Sequence, residues 1–535
     1  MKRAILALCL TSIAGVVAAG AMAACSSSSG GNAATGGPDT GTGGDTGPGD
    51  AGGGTFMPEI ACTDTIDSVY ADPGDVSSKA KGTILKCAKD KDMTAADLTA
   101  AVDVADDAGN RAYTGPAFTS GAHVYRILYR TTRGNNADPT KSLPGYSSAL
   151  LLLPETPRLG TGKPLPVILA AHGARGQTAK CAPSKDDPAA AYVEEDFQHL
   201  VYPFVGLGFP VIAPDLAGYA NFGGVNNPPP AFDQLDDVGR SMLDGARAIR
   251  GVIPSSLTQQ IVITGHSQGS YNAMAALALA DSYGADGIVS AVAIYSPIWA
   301  SQRGWAAIFA EPTTYTFAAS SLGSVSIWYH YTHSFLLDGP DAALELFDPA
   351  KAAAVQAFVD NDCWSKSYPD LEDAGASAND LFSTTYRQAI AYASIPAPLG
   401  GGGNCPNQLC KTWIERMTYD YPHITGGAAK VPMLVWYSDN DTTLTPDLAQ
   451  CVFNRLSGDK LDYQLCYDND PVGHAGVVAE NAGYVVDWVA HQTLPDAGAP
   501  AMGNCSALAN NDAGVPQLVM PDGGAQLCNP LVATQ

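Results

Sequence analysis

The stretch Gly265-His266-Ser267-Gln268-Gly269 constrains this chain more than any other. Gly-x-Ser-x-Gly is the sequence of a sharp turn between a strand and a helix, with a serine at its apex. The two glycines are needed because the turn crowds its neighbours, and a Cβ at either position would clash. A five-residue pattern can also recur by chance in a chain with 56 glycines. The flanks therefore decide. Gln259 to Thr264 reads as a short buried strand rich in β-branched residues, and Tyr271 to Asp281 as an alanine-rich buried helix. Strand, turn, helix is the required order. The competing reading is an ordinary glycine-rich turn with a solvated serine.

A serine hydroxyl is a poor nucleophile at neutral pH. It needs a base, and the base needs an orienting carboxylate. After a turn of this kind the chain order is Ser, then Asp or Glu, then His. His474 and His491 are the histidines that follow the last strand-like runs. His474 falls in Gly473-His474-Ala475-Gly476, read as a loop before the final long helix, Val477 to His491. His491 lies at the far end of that helix, where it suits the helix dipole. His474 is therefore the candidate base. The run Val431 to Tyr437 is a strand, and the acid should follow it. Asp441 is the candidate, with Asp439 as the fallback; the competing role for each is an Asx turn. Two backbone donors should receive the developing negative charge. One is the amide of Gln268. The other comes from the loop after the strand Pro166 to Ala171, where Ala174 follows His172 and Gly173. His172 precedes the nucleophile in the chain and is read as a support of that loop. No cofactor or metal is required.

Apolar strand-like runs at Pro166–Ala171, Phe209–Asp215, Ile261–Ile263, Ile288–Tyr295 and Val431–Tyr437 alternate with helical segments such as Asp236–Val252. That rhythm specifies an α/β fold, with a mostly parallel central sheet covered by helices on both faces. Ala122–Thr132 and Ser147–Pro154 read as a further strand pair, and Asp462–Tyr467 as a late strand. Ser296 to about Lys430 breaks the rhythm. It is aromatic and reads as an inserted, largely helical cap, with helices near Ala350–Asp360 and Leu381–Tyr392 and a Gly/Pro/Cys loop at Pro396–Cys410. Trp299, Trp305, Phe309, Tyr315, Phe317, Trp328, Tyr329, Tyr331 and Phe335 could line a lipid pocket; most of them are expected to form the cap's own core.

Lys2 and Arg3 followed by an uncharged apolar run to Ala24 form an export signal. The run ends in Met22-Ala23-Ala24-Cys25, which resembles a bacterial lipobox and makes Cys25 a lipid-attachment site. An uncleaved membrane anchor and plain secretion with Cys25 unmodified are the alternatives. The expected division is a signal peptide at 1–24 and a flexible tether at 25–55. The core follows at 56–296 and 431–495, with the cap at 297–430 and a disulfide-stapled tail at 496–535. The chain is expected outside the cytoplasm, anchored to an outer membrane or cell surface or otherwise secreted, and monomeric. Its net charge of −24, without a Lys/Arg cluster beyond the signal, argues against a nucleic-acid partner.

Ten cysteines remain beyond Cys9 and Cys25, an even number that suits disulfides in an exported protein. No metal-ligand spacing is present. Neighbour pairing expects Cys62–Cys87, Cys405–Cys410, Cys451–Cys466 and Cys505–Cys528, with Cys181–Cys363 joining core to cap.

Together these motifs resemble the α/β-hydrolases, and more narrowly the secretory lipase family of fungi and bacteria. The residues that carry the resemblance are Tyr125–Arg130, His172-Gly173, Cys181-Ala182-Pro183-Ser184, Gly265–Gly269 and the pair Asp441/His474, within about residues 110 to 492. The resemblance implies an α/β-hydrolase fold, a Ser267–Asp441–His474 triad, hydrolysis of small-molecule or lipid esters, and a cap over the acyl pocket. Ser270 stands where a further glycine is usual, and Tyr437-Ser438 replaces a common His-Gly. A serine peptidase on the same fold, or a surface binding protein without activity, would carry the same motifs.

Overall fold

In a computed structural model the described residues are 56–494, Met502 and Cys505. Excepted are 104–111, 135–138, 191–195, 225–226, 299–304, 306–308, 310–320, 365–370, 372–376, 395–404, 406, 439, 445 and 469–471. The export signal, Cys25, the tether, Trp299, Tyr315, Phe317, Asp439 and Cys528 lie outside them. Nine strands form one sheet. They are β1 (Ile84–Met93), β2 (Ala122–Arg133), β3 (Leu143–Pro154), β4 (Leu165–Ala171), β5 (Val211–Ala217), β6 (Leu257–His266), β7 (Ile288–Tyr295), β8 (Met433–Ser438) and β9 (Tyr463–Asp468). Their spatial order is β1-β2-β3-β5-β4-β6-β7-β8-β9. Pairs from β1 to the β3–β5 contact are antiparallel; the rest are parallel.

The parallel strands are short apolar runs because both faces are covered. Every residue of β4 and β5 is buried. Burial of each Ile, Leu or Val side chain contributes about 1.5–3 kcal/mol, so this central run dominates the core. Helix α1 (Phe197–Gly206) packs on the last helix, α9 (Gly473–Thr493), and α2 (Leu235–Val252) packs on α3 (Gln268–Tyr283). Gln234 caps α2, accepting from the Asp237 amide at 2.7 Å. Asp237, in the first turn of α2, takes a bidentate grip on its carboxylate from Arg133 of β2, at 3.0 and 2.8 Å. Both partners are buried, so removing either one alone would strand an uncompensated charge in the core.

Between β7 and β8 the described chain is helical: α4 (Ser321–Asp338), α5 (Ala352–Asn361), α6 (Thr384–Ser394) and α7 (Gln408–Tyr419). Helix α8 (Pro446–Gly458) follows β8. Trp305, Phe309, Trp328, Tyr329 and Tyr331 are buried in the core, as expected of most of the aromatic residues here. Trp305 stacks on Tyr329 and Trp328 on Phe358.

Three expectations need correction. The first is the disulfide set. Cys62–Cys87, Cys181–Cys363 and Cys405–Cys410 form as expected. Cys466, however, bonds Cys505, so the Cys451–Cys466 and Cys505–Cys528 pairings are wrong. Cys466 lies on β9, the strand at one edge of the sheet, and meets a cysteine 39 residues further along the chain, so proximity in sequence carries no weight there. Cys451 is disulfide-bonded as well. Second, His474 is not in a loop: α9 starts at Gly473, four residues before the expected start at Val477, and His474 sits in its first turn. Gly473 supplies the positive φ (67°) with which the chain enters. Third, the end of the expected Pro396–Cys410 loop already belongs to α7, which Asn407 caps through the Cys410 amide.

Candidate active site

β6, in the interior of the sheet, ends at His266 and places Ser267 just past its carboxyl end, and α3 begins at the next residue. Ser267 has φ 55° and ψ −120°, a conformation that non-glycine residues rarely adopt and that costs about 1–3 kcal/mol. Its amide donates to the Tyr295 carbonyl of β7 at 3.0 Å, and its carbonyl accepts from the Ser270 amide at 2.9 Å. The glycines have the expected reason. A Cβ at Gly265 would stand 2.9 Å from the Ser270 nitrogen, and one at Gly269 would stand 2.6 Å from the Ala171 carbonyl carbon. Ser270 is itself part of the turn: its hydroxyl is hydrogen-bonded to the carbonyls of Tyr295 (2.6 Å) and Gly265 (3.1 Å). A glycine there would lose that stitch.

Asp441 lies in the loop after β8. Its Oδ2 accepts from Nδ1 of His474 at 2.7 Å, and its Oδ1 accepts from the amides of Thr443 (2.9 Å) and Leu444 (2.8 Å). Burial alone would raise its pKa. The His474 ring, the Leu444 amide and the Ser296 hydroxyl outweigh burial and hold the carboxyl below the usual carboxylate range. The Asp441 side chain is fully buried and that of His474 is 16% exposed, so the pair presents only the histidine. Tyr437, in place of the common histidine, braces this loop through its hydroxyl on the Leu444 carbonyl at 3.0 Å.

The amides of Ala174 and Gln268 donate to no protein acceptor among the described residues. For Gln268 the reason is local, since it is the first residue of α3 and has no helical acceptor. Ala174 is half-buried. The loop that carries it is tied down on all sides. Trp364 donates its amide to the Arg175 carbonyl at 3.0 Å, Gly176 bridges Cys363, and the Cys181–Cys363 disulfide closes the segment. Ser184 of the Cys-Ala-Pro-Ser run donates its amide to Asp215 of β5 at 2.8 Å. His172 is buried against the carbonyls of Gly173 and Asp215, and burial lowers its pKa.

Sequence reading missed two side chains. Asp196 immediately precedes α1, and its Oδ2 accepts from the Gly173 amide at 2.9 Å and from Nδ1 of His266 at 2.8 Å. His266 Nε2 donates to the carbonyl of His474 at 2.9 Å. Both partners of the ring, the Asp196 carboxylate and the His474 carbonyl, are acceptors. Burial works against the Asp196 carboxylate, but the hydrogen bond from the His266 ring, with Arg175 and His172 beyond it, holds its pKa far below the usual value. His266 was visible as the variable residue of the Gly-x-Ser-x-Gly motif; no spacing rule links it to Asp196. Among the described residues no cluster of metal-ligating side chains forms, and no helix is long and apolar enough to cross a membrane.

No protein-family model and no curated protein matches this chain. Solved structures do. The rice cell wall degrading esterase LipA from Xanthomonas oryzae superposes with a TM-score of 0.52 at 18% identity, covering 78% of this chain and 100% of its own. Candida antarctica lipase A in its closed state gives 0.54 at 15% identity, with 86% and 92% covered. These likenesses, with the sheet order above, make the fold that of an α/β-hydrolase. The disulfides are those of a protein that folds outside a reducing cytoplasm.

Proposed function

We propose that the protein is a serine hydrolase of carboxylic esters, with Ser267 as nucleophile, His474 as base and Asp441 as its orienting acid. The observation that carries the reading is the join between two separate pieces of geometry. Ser267 occupies the strained turn, and the neighbouring His266 is bonded to the backbone of the very histidine that Asp441 orients. That both superposed structures are described as an esterase and a lipase supports the same chemistry.

In the first half-reaction Ser267 Oγ attacks the acyl carbon while its proton passes to His474 Nε2. The carbonyl oxygen becomes an oxyanion, held by the Gln268 and Ala174 amides. Asp441 stabilises the imidazolium without taking a proton. His474 then returns the proton to the departing alcohol oxygen, leaving an acyl-enzyme on Ser267. Water, deprotonated by His474, repeats the sequence and releases the acid. Outside the described residues, a lipid on Cys25 would hold the enzyme at a membrane, and the tether at 26–55 would let it stand off the surface.

The test is reaction with a fluorophosphonate probe and with p-nitrophenyl esters from acetate to palmitate, beside aminoacyl amides. Wild type is expected to be labelled and to hydrolyse the esters. Ser267→Ala should keep its circular dichroism and lose both. Ester hydrolysis by Ser267→Ala, or amides outrunning esters, would overturn the proposal.

A further inference from the structure

Asp196 and His266 take no part in those proton transfers, yet they form a buried hydrogen-bonded pair beside Ser267. Asp196 is 7% exposed and His266 3%. The pair closes an unbroken chain of hydrogen bonds. It starts at the Gly173 amide, runs through Asp196 Oδ2 (2.9 Å) and the His266 ring (2.8 Å), and ends at the His474 carbonyl (2.9 Å). The Ser296 hydroxyl donates to that same carbonyl at 3.4 Å. The two imidazole rings lie 4.5 Å apart, centroid to centroid. One end of this chain is the peptide next to Ala174, the other is the backbone of the base, and its middle is covalently adjacent to the nucleophile.

A buried polar pair seldom stabilises a fold more than apolar residues of the same shape would. What it supplies is directional constraint, here applied to two loops from distant parts of the chain. We propose that Asp196 and His266 are positioning residues, which hold the second oxyanion donor at Ala174 in register with the His474 base on either side of Ser267. The proposal rests on the ester-hydrolase reading of the site. It adds that reading's missing connection between the donor loop after β4 and the base at the start of α9.

The experiment compares wild type with Asp196→Asn and His266→Gln. The first removes the charge and keeps the shape. The second carries its N–H donors on a single nitrogen and cannot reach both acceptors across the ring's width. Each is expected to lose about 100-fold in kcat, the scale of a misplacement of about 1 Å among reacting groups. KM should stay within about threefold, since substrate binding is untouched. Alkyl esters, whose alcohol needs a proton from His474, should lose more than p-nitrophenyl esters, whose leaving group does not. Fluorophosphonate should label the variants slowly but to the wild-type endpoint.

Wild-type kcat in the variants overturns the proposal. So does a loss equal for both ester classes, or one that appears only as a smaller labelled fraction, because either is what mere unfolding would give. If Asp196→Asn does not fold, His266→Gln is read by the same criteria. A wild-type enzyme that neither reacts with fluorophosphonate nor cleaves any ester removes the hydrolase reading and the proposal together. An active wild type with unaffected variants removes the proposal alone.

Discussion

Gly269 lies so close to Ala171 that a Cβ on it would stand 2.6 Å from the Ala171 carbonyl carbon and 2.8 Å from the His172 oxygen. Backbone cannot yield as a side chain can. Gly269→Ala should therefore cost about 3 kcal/mol, at the upper end of overpacking penalties. It should also displace the donor loop that starts at Ala171. Urea unfolding and p-nitrophenyl ester turnover read the two effects. A variant with wild-type midpoint and activity would mean that the two backbones have room to part.

Asp441→Asn keeps the size of the acid and reverses its preference for the ring. An amide can donate to Nδ1, which leaves Nε2 protonated and unable to act as base. A fall in kcat of about four orders of magnitude is expected, the loss that such an exchange brings in serine triads. Circular dichroism should not change. Retention of more than a tenth of wild-type kcat would point to another carboxylate as the acid.

The same carboxylates make stability depend on pH. Asp441 and Asp196 both have pKa values lower in the fold than the ordinary aspartate value of about 3.9. A depressed carboxyl stabilises fully above its unfolded pKa and loses that contribution as pH falls through its folded pKa. Wild-type unfolding free energy should therefore drop below about pH 4. Asp244 and Asp186 are shifted upward, chiefly by burial, and act in the opposite sense. The informative quantity is thus the difference between proteins. Asp196→Asn should show a shallower acid decline than wild type, and an equal decline would remove Asp196 from the account.

Asp420 fastens α4 to the start of α2. Its carboxylate accepts from His333 Nε2 (2.9 Å), the Leu235 amide (3.0 Å) and Gln234 Nε2 (3.3 Å). The other ring nitrogen of His333, Nδ1, lies 2.7 Å from the Tyr329 carbonyl. Asp420→Ala would leave the Leu235 amide and the side chains of His333 and Gln234 without their buried acceptor and should cost about 1–3 kcal/mol. Limited proteolysis should then cut between β7 and β8 first. Equal protease resistance in variant and wild type would show that α4 is held by its aromatic packing alone.

Cys181–Cys363 closes a loop of 182 residues and fastens the Ala174 segment to Trp364. Replacing both cysteines by alanine should lower stability by about 2–4 kcal/mol. It should also slow fluorophosphonate labelling, since the donor loop loses its covalent anchor. Unchanged labelling with lowered stability would limit the bridge to a stabilising role.

Where local pattern matched local structure, the sequence could be read. β7 runs over the residues expected, and β2, β4, β6, β8 and β9 differ only at their ends. Three elements that escaped did so for two reasons. Helix α4 is buried on nearly every side, so it has no amphipathic period to detect, and its serine, tyrosine and histidine content is weak in helix propensity. Helix α1 is likewise buried throughout and contains Pro203. β1 is an edge strand carrying Lys86, Lys89, Asp90, Lys91 and Asp92, the charges that blunt a sheet edge and mask its alternation.

By itself the sequence determined the turn at Ser267, the chain order of serine, acid and histidine, and the parallel sheet that places them. These depend on glycine sterics, strand composition and strict order along one chain. Only the tertiary structure decided that Cys466 reaches Cys505, that His474 begins a helix, and that Asp196 lies between Gly173 and His266. Those are contacts between distant segments. Their partners are chosen by which backbones the packed sheet brings within about 3 Å, the reach of a hydrogen bond, and no short window of residues contains that distance.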